Sequence, residues 1–130
     1  MILYETNLLI IESVYEYVVL RNKASNEILL ENEFYGDPQC GLIDHNNEWA
    51  VIAGDHIVVW NSGRTSIIKN NKLSFIHSLR MKSRYAIELL VDPWSDLSAI
   101  WNLDINSCKL NRIDSFNAYK DTEWTDEVNW

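Results

Sequence analysis

Two Asp-His pairs and a third histidine are the residues of this chain best suited to catalysis or metal binding. The pairs are Asp44-His45 and Asp55-His56, and the third histidine is His77. A carboxylate that orients an imidazole belongs to hydrolytic triads, and the same two residue types bind zinc. Adjacent residues of a strand point to opposite faces of a sheet, so we do not expect either pair to form such a dyad. Because the pairs fall in predicted turns, where Asp hydrogen-bonds the nearby backbone, we interpret them as turn residues.

Three aspartates further along the chain, Asp92, Asp96 and Asp104, are the other candidates for chemistry. A divalent metal would need clustered carboxylates, but this spacing matches no known metal-binding geometry. The sequence also contains no GxSxG, HExxH, P-loop or GxGxxG motif. We therefore expect no catalytic residues, no bound metal and no cofactor, and a protein that is not an enzyme.

The charge of the chain is strongly segregated. Its 19 acidic residues outnumber 11 Lys and Arg, which gives a net charge of −8 and a pI near 4.7. Residues 1–55 carry ten acids against two cations, and residues 88–130 carry nine acids against three. A segregated acidic chain favours a basic protein partner and disfavours direct binding to nucleic acids or anionic membranes. The intervening segment, residues 56–87, has no acid and six cations: Arg64, Lys69, Lys72, Arg80, Lys82 and Arg84.

Length, cysteine content and the start of the chain predict one cytoplasmic domain. A chain of 130 residues can bury a core without disulfide or metal support, so we expect a single domain over 1–130. Cys40 and Cys108 are expected to be reduced and mostly buried, with one disulfide between them as the alternative. The first 17 residues are interrupted by Glu5, Glu12 and Glu16 and lack the basic start of a signal peptide. We therefore expect neither secretion nor a membrane span.

Short runs of β-branched and aromatic residues, separated by turn residues, predict an all-β fold. We expect an antiparallel meander that forms a sandwich or a strongly curved sheet. Two segments are weak helix candidates, Met1–Ile11 and the single turn Ser78–Ser83. The strands are predicted at residues 13–21, 27–34, 40–44, 48–53, 56–61, 65–69, 72–77, 84–91, 97–103 and 109–116. The predicted core consists of Trp49, Val51, Ile57, Val59, Ile87, Leu89, Val91, Ile100 and Leu103.

One internal similarity resembles the inner hairpin of a β-propeller blade. Residues 42–52 (LIDHNNEWAVI) align with residues 90–100 (LVDPWSDLSAI) at an offset of 48 residues, which is within the range of blade lengths. Two unrelated hairpins with Asp turns would give the same pattern, and we favour that interpretation because turns converge on Asp and Asn. The chain has room for fewer blades than the four that a closed propeller typically needs.

The C-terminal segment Tyr119–Trp130 is the strongest candidate for partner binding, because acids and tryptophans alternate in it. Aromatic anchors among steering charges are typical of a recognition surface. A last strand or helix packed on the domain is the alternative, and the two are compatible. The candidate partner-binding residues of this segment are Asp121, Glu123, Trp124, Asp126, Glu127 and Trp130.

A second acidic-aromatic cluster is predicted in the first hairpin. Glu31, Glu33 and Asp37 surround Phe34 and Tyr35 there, and we predict the three acids to be further partner-binding residues. The alternative is a solvated edge strand whose charges prevent pairing with another sheet.

A short, acidic, tryptophan-rich β domain without catalytic residues resembles the immunity proteins of bacterial toxin systems, including contact-dependent growth inhibition. The segment 35–60 (YGDPQCGLIDHNNEWAVIAGDHIVVW) resembles such small single-domain proteins as well. The resemblance implies an intracellular antidote that binds a cognate toxin domain, often a basic nuclease, and blocks its active site. The alternative function is a small ligand-binding or carbohydrate-binding β module that stacks sugars on Trp60, Trp94 or Trp101.

Overall fold

The computed structural model describes residues 1–130 and contains twelve β-strands, one 3₁₀ turn and no α-helix. The all-β prediction is therefore confirmed. The first sheet contains β1 (Ile2–Glu5), β2 (Leu9–Val14), β3 (Tyr17–Asn22) and β4 (Ile28–Glu33). The middle sheet contains β5 (Cys40–Ile43), β6 (Trp49–Ala53), β7 (Ile57–Asn61) and β8 (Arg64–Ile68). The 3₁₀ turn Asn71–Leu73 precedes the third sheet, which contains β9 (Ile76–Ser83), β10 (Ala86–Val91), β11 (Ala99–Asp104) and β12 (Leu110–Ser115).

Each sheet is a four-stranded antiparallel meander whose strands lie in chain order. The first strands of the sheets lie side by side, because β5 contacts both β1 and β9. This is how the inner strands of propeller blades are arranged, but three blades are fewer than the four or more of a closed propeller. One face of the first sheet and one face of the third sheet are therefore turned away from the middle sheet, and we call these the outer faces.

The middle sheet is buried on both faces, so the molecule has two hydrophobic cores. All five residues of β6 are buried, because alternate side chains enter opposite cores. Near-continuous apolar runs are what a strand covered on both faces requires. The core between the middle and third sheets includes Trp49, Val51, Ile57, Val59, Ile87, Leu89, Val91 and Leu103, as predicted. The core between the first and middle sheets includes Leu9, Ile11, Val18, Leu20, Leu30, Ile52 and Val58.

Ile100 was wrongly predicted as a core residue. Its neighbours on β11, Ala99 and Trp101, belong to the core between the middle and third sheets. Strand alternation places Ile100 on the outer face of the third sheet, where it is half-buried. We therefore expect a smaller loss of stability from Ile100→Ala than full burial would give.

Several predicted element boundaries were also wrong. The helix candidate Met1–Ile11 contains β1 and the start of β2, and the turn candidate Ser78–Ser83 lies within β9. The predicted strand 13–21 is divided by a turn at Tyr15, which adopts φ 54° without being glycine. The predicted strand 72–77 begins only at Ile76, because the Asn70 side chain accepts a hydrogen bond from Lys72 N at 2.9 Å and caps the 3₁₀ turn.

The internal similarity does not follow the sheets. It aligns β5–β6, the first two strands of one sheet, with β10–β11, the second and third strands of another. The two turns are also made differently: the Asp44 carboxylate accepts from Glu48 N at 3.2 Å, whereas Asp92 accepts from Ser95 N at 3.2 Å through its backbone carbonyl. The interpretation as two unrelated hairpins agrees with these differences in register and in turn geometry.

Candidate partner-binding surfaces

The C-terminal segment crosses the outer face of the third sheet without regular secondary structure. The Arg80 guanidinium on β9 lies over the Trp130 ring, 4.0 Å from its centroid, and also donates to the Trp130 main-chain oxygen. The Arg80 Nε donates to Glu88 Oε1 at 2.9 Å. Glu88 alternates with the core residues Ile87 and Leu89, so this contact lies on the outer face. The end of the segment is therefore held on the sheet by a cation–π contact and a hydrogen bond.

Trp94 anchors the rest of the segment. Its ring centroid lies 6.0 Å from that of Trp124 and 5.2 Å from that of His77. Its carbonyl accepts from Asp121 N at 3.4 Å, and Lys120 forms a 3.0 Å ion pair with Asp96. The segment thus packs on the domain, as the alternative interpretation predicted, but it forms neither the strand nor the helix that this interpretation expected.

The predicted binding residues of the segment are still largely presented to solvent. Trp124 is 66% exposed, and the four acids Asp121, Glu123, Asp126 and Glu127 are also exposed. Trp130 is half-buried under Arg80. The segment therefore docks through part of its aromatic surface and leaves its acids exposed, and its role in partner binding stays a prediction.

Leu90 lies in a covered part of the outer face of the third sheet. It is 0% exposed, yet it belongs to neither core. Its paired neighbours, Ser78 and Ile100, share this face. The C-terminal segment contacts Arg80 and Trp94 on this side, and we infer that it helps to bury Leu90. Two polar atoms here, Trp94 Nε1 and Asn102 Oδ1, are buried without a hydrogen bond.

His77, whose ring packs against Trp94, is expected to make this region sensitive to acid. Partial burial lowers the pKa of His77, and the Asp92 carboxylate opposes this shift. A histidine with a lowered folded-state pKa favours the neutral form, so its contribution is present above the unfolded pKa and is lost as pH falls. We expect His77→Gln to reduce the loss of stability between pH 7 and pH 5, measured by urea denaturation. Equal losses in the wild-type protein and in His77→Gln would contradict the assignment.

The second predicted cluster lies on the first sheet. The Tyr17 hydroxyl donates to Glu31 Oε2 at 2.6 Å, and this hydrogen bond raises the pKa of Tyr17. Glu31, Glu33 and Asp37 are exposed, and Tyr35 is 89% exposed beside them. These residues form an acidic surface with accessible tyrosines.

Phe34 does not belong to that surface. It is 4% exposed and stacks on His56, with ring centroids 4.1 Å apart. The aromatic side chain that lies next to the acids is therefore Tyr17, and Phe34 is part of the core. The sequence alone did not show that Tyr17 lies beside these acids, because the contact depends on the pairing of β3 with β4.

Apolar side chains accompany the acids across the outer face of the first sheet. Cross-strand pairing arranges them in three rows. Several are widely exposed, including Ile2 at 54% and Val14 at 65%. The rows are Ile2, Glu12, Val19 and Glu31; then Val14, Tyr17 and Glu33; then Glu5, Ile10, Arg21 and Ile28.

One Asp-His pair behaves differently from the prediction. Asp55 Oδ1 lies 3.0 Å from His56 Nδ1, and Asn32 Oδ1 lies 2.8 Å from His56 Nε2. Asp55 precedes β7, so strand alternation does not separate the two side chains. Both ring nitrogens are occupied and His56 is 5% exposed, so the imidazole links the first and middle sheets instead of activating a nucleophile. The other pair fits the turn interpretation, since Asp44 caps its turn and His45 is exposed.

The remaining chemical candidates are dispersed. Asp104 accepts from Ser107 N at 2.8 Å, which lowers the pKa of Asp104, and no group of three His, Cys, Asp or Glu is placed to hold a metal. Cys40 and Cys108 are unpaired and half-buried, and burial raises the pKa of the Cys40 thiol.

No helix of the structure is long and apolar enough to cross a bilayer.

The three tryptophans considered for sugar stacking do not meet on one surface. Trp60 and Trp101 are each 9% exposed and belong to different cores. Trp94 lies beneath the C-terminal segment, against Trp124. A sugar-binding platform needs accessible ring faces, so this arrangement gives that function no support.

No model of a protein family matches this chain, and no curated protein matches its sequence.

Proposed function

We propose that the chain is an immunity protein, a non-enzymatic antidote that acts in the bacterial cytoplasm. It binds a cognate, basic toxin domain, such as a nuclease, and blocks its active site. The observation that supports this best is the exposed acidic surface with tyrosines around Tyr17, Glu31 and Glu33. Tyrosine is enriched among residues that dominate binding energy, and uncompensated acids attract a basic partner.

The distribution of charge among the sheets supports a protein partner over a polyanion. The cation Arg80 is already paired with Glu88, and Arg84 Nη2 lies 3.1 Å from Glu48 Oε1. The central basic segment is thus partly neutralised by the chain itself. The acids Glu31 and Glu33 form no ion pair. The charge left free for a partner is therefore mainly negative.

The direct experiment is co-expression with the product of the adjacent gene. If that product is the cognate toxin, its expression alone should stop growth, and co-expression with this chain should restore growth. The purified chain should also bind a catalytically inactivated form of the toxin. A non-toxic neighbour that does not bind would contradict the proposal.

Electrostatic steering gives a quantitative prediction. Raising the ionic strength from about 0.01 M to 0.15 M shortens the Debye length from about 30 Å to about 8 Å. The association rate with the inactivated toxin should fall by about tenfold or more over this range, while the dissociation rate should change much less. Surface plasmon resonance at several salt concentrations measures both rates. An association rate that does not depend on salt would show that the charge distribution does not steer association.

A further inference from the structure

We propose that the outer face of the first sheet is the surface on which the basic protein partner docks, and that the C-terminal segment serves to cover the third sheet. The identity of the partner rests on the proposed function. The choice of surface rests on a comparison of the two outer faces.

The two outer faces occupy equivalent ends of the three-sheet stack but differ in coverage. On the third sheet, Leu90 is completely buried and the C-terminal segment lies across its neighbours. On the first sheet Ile10 is also buried, at 6% exposed, but Val14, Tyr17 and Ile28 are 65%, 39% and 51% exposed. Exposed apolar side chains in adjacent rows, with charges around them, are the composition of a protein interface.

Charge determines the kind of occupant. The three rows carry four carboxylates, from Glu5, Glu12, Glu31 and Glu33, against the single guanidinium of Arg21. Arg21 pairs with Glu12, and Lys23, from the adjoining turn, pairs with Glu5 at 3.0 Å. Glu31 and Glu33 are left without a cation. A second copy of this chain, with a net charge of −8, would bring like charge to the same face, so the charge favours a basic partner.

The aromatic side chains supply the anchors. The Tyr17 hydroxyl donates to Glu31, and this hydrogen bond restrains the ring before binding. Tyr15 and Tyr35 are 84% and 89% exposed at the same end of the sheet. Asp37 lines a shallow cleft together with Val14 and Tyr15, which extends the acidic border to that end. Ordered tyrosines lose little conformational entropy when they are buried in an interface.

The test measures binding of the inactivated product of the adjacent gene to surface variants of the full chain. We expect Tyr17→Ala to weaken binding by about tenfold or more, mainly through faster dissociation. Glu33→Lys should weaken it by a similar factor at low salt through slower association. The matched charge reversal Glu123→Lys, on the C-terminal segment, should change affinity by less than about threefold. Circular dichroism and thermal midpoints confirm that each variant is folded, and Tyr35→Ala, at a side chain that is 89% exposed, tests an aromatic anchor of the same surface should Tyr17→Ala fail to fold.

A loss of affinity with Glu123→Lys, and none with the two first-sheet variants, would overturn the docking surface while leaving the proposed function intact. Failure of the wild-type chain to bind the neighbour would instead count against the proposed function. A second probe tests the surface independently of that partner. At low salt, carbodiimide should couple a short oligolysine peptide to Glu31 and Glu33 more than to Asp126 and Glu127. Preferential coupling to the C-terminal acids would also overturn the proposal.

Discussion

Replacing Trp49 with alanine should lower the free energy of unfolding by about 3–5 kcal/mol, the largest effect we expect from any single substitution in this chain. Trp49 is 0% exposed and lies in the core between the middle and third sheets. Its indole Nε1 donates to the Arg84 carbonyl oxygen at 3.0 Å, which ties β6 to the turn between β9 and β10. The substitution therefore creates a cavity and leaves a backbone acceptor without its donor.

Two further variants separate these causes. Trp49→Phe keeps most of the ring volume and removes the indole donor, so it should cost about 1–3 kcal/mol. Trp124→Ala removes the same side chain from a position that is 66% exposed, and it should cost less than about 1 kcal/mol. Urea denaturation followed by far-UV circular dichroism avoids dependence on tryptophan fluorescence. A loss of less than about 1 kcal/mol in Trp49→Ala would contradict the two-core packing of the middle sheet.

The middle sheet was the part of the fold that the sequence predicted best. Its strands β6 and β7 are short apolar runs rich in β-branched residues and bounded by residues that favour turns, which is the pattern of strands covered on both faces. Eight of the nine predicted core residues are buried, and most of them lie in or against this sheet. Ile100 was the exception. Strand alternation separates the residues of β11 into two faces, but which face lies against the core is known only once the neighbouring sheet is placed.

The start of the chain was predicted poorly because its turns lack Gly and Pro. The turn between β1 and β2 is made by Thr6, whose hydroxyl accepts from Leu8 N at 3.2 Å and from Leu9 N at 3.0 Å. The turn between β2 and β3 places Tyr15 at a positive φ, which is uncommon for an aromatic residue. Without these turns, the first eleven residues resembled a helix.

Because these two turns were not recognised in the sequence, the candidate docking surface was not recognised either. Glu31, Glu33 and Asp37 were found from their charge, but their apolar companions depend on the register of β1 to β4. Val14 and Tyr17 pair across the turn at Tyr15, inside what was predicted as one continuous strand. A surface assembled by cross-strand pairing cannot be predicted until each strand boundary is placed to within one residue.

Deleting Asp121–Trp130 should leave a folded β domain that is less stable by about 1–3 kcal/mol. The deletion uncovers part of the outer face of the third sheet, and full burial of one leucine stabilises a protein by about 1.5–3 kcal/mol. It also removes the cation–π contact of Arg80, which contributes about 0.5–1 kcal/mol at an exposed site. Two effects limit the loss: the ten deleted residues no longer have to be ordered, and the unpaired Trp94 Nε1, beside Trp124, gains access to water.

A double-mutant cycle identifies what the C-terminal segment does. If the segment buries Leu90, then Leu90→Ala should cost clearly less in the truncated chain than in the full chain, because truncation has already exposed that side chain. Leu89→Ala, one residue away but in the core on the opposite face, should cost the same in both backgrounds. Urea denaturation of the six proteins measures both couplings. If Leu90→Ala lowers the free energy of unfolding equally in the two backgrounds, other residues bury Leu90. If the truncated chain is unfolded, the segment is required for folding. A folded truncated chain that still binds the basic partner would leave the first sheet as the docking surface.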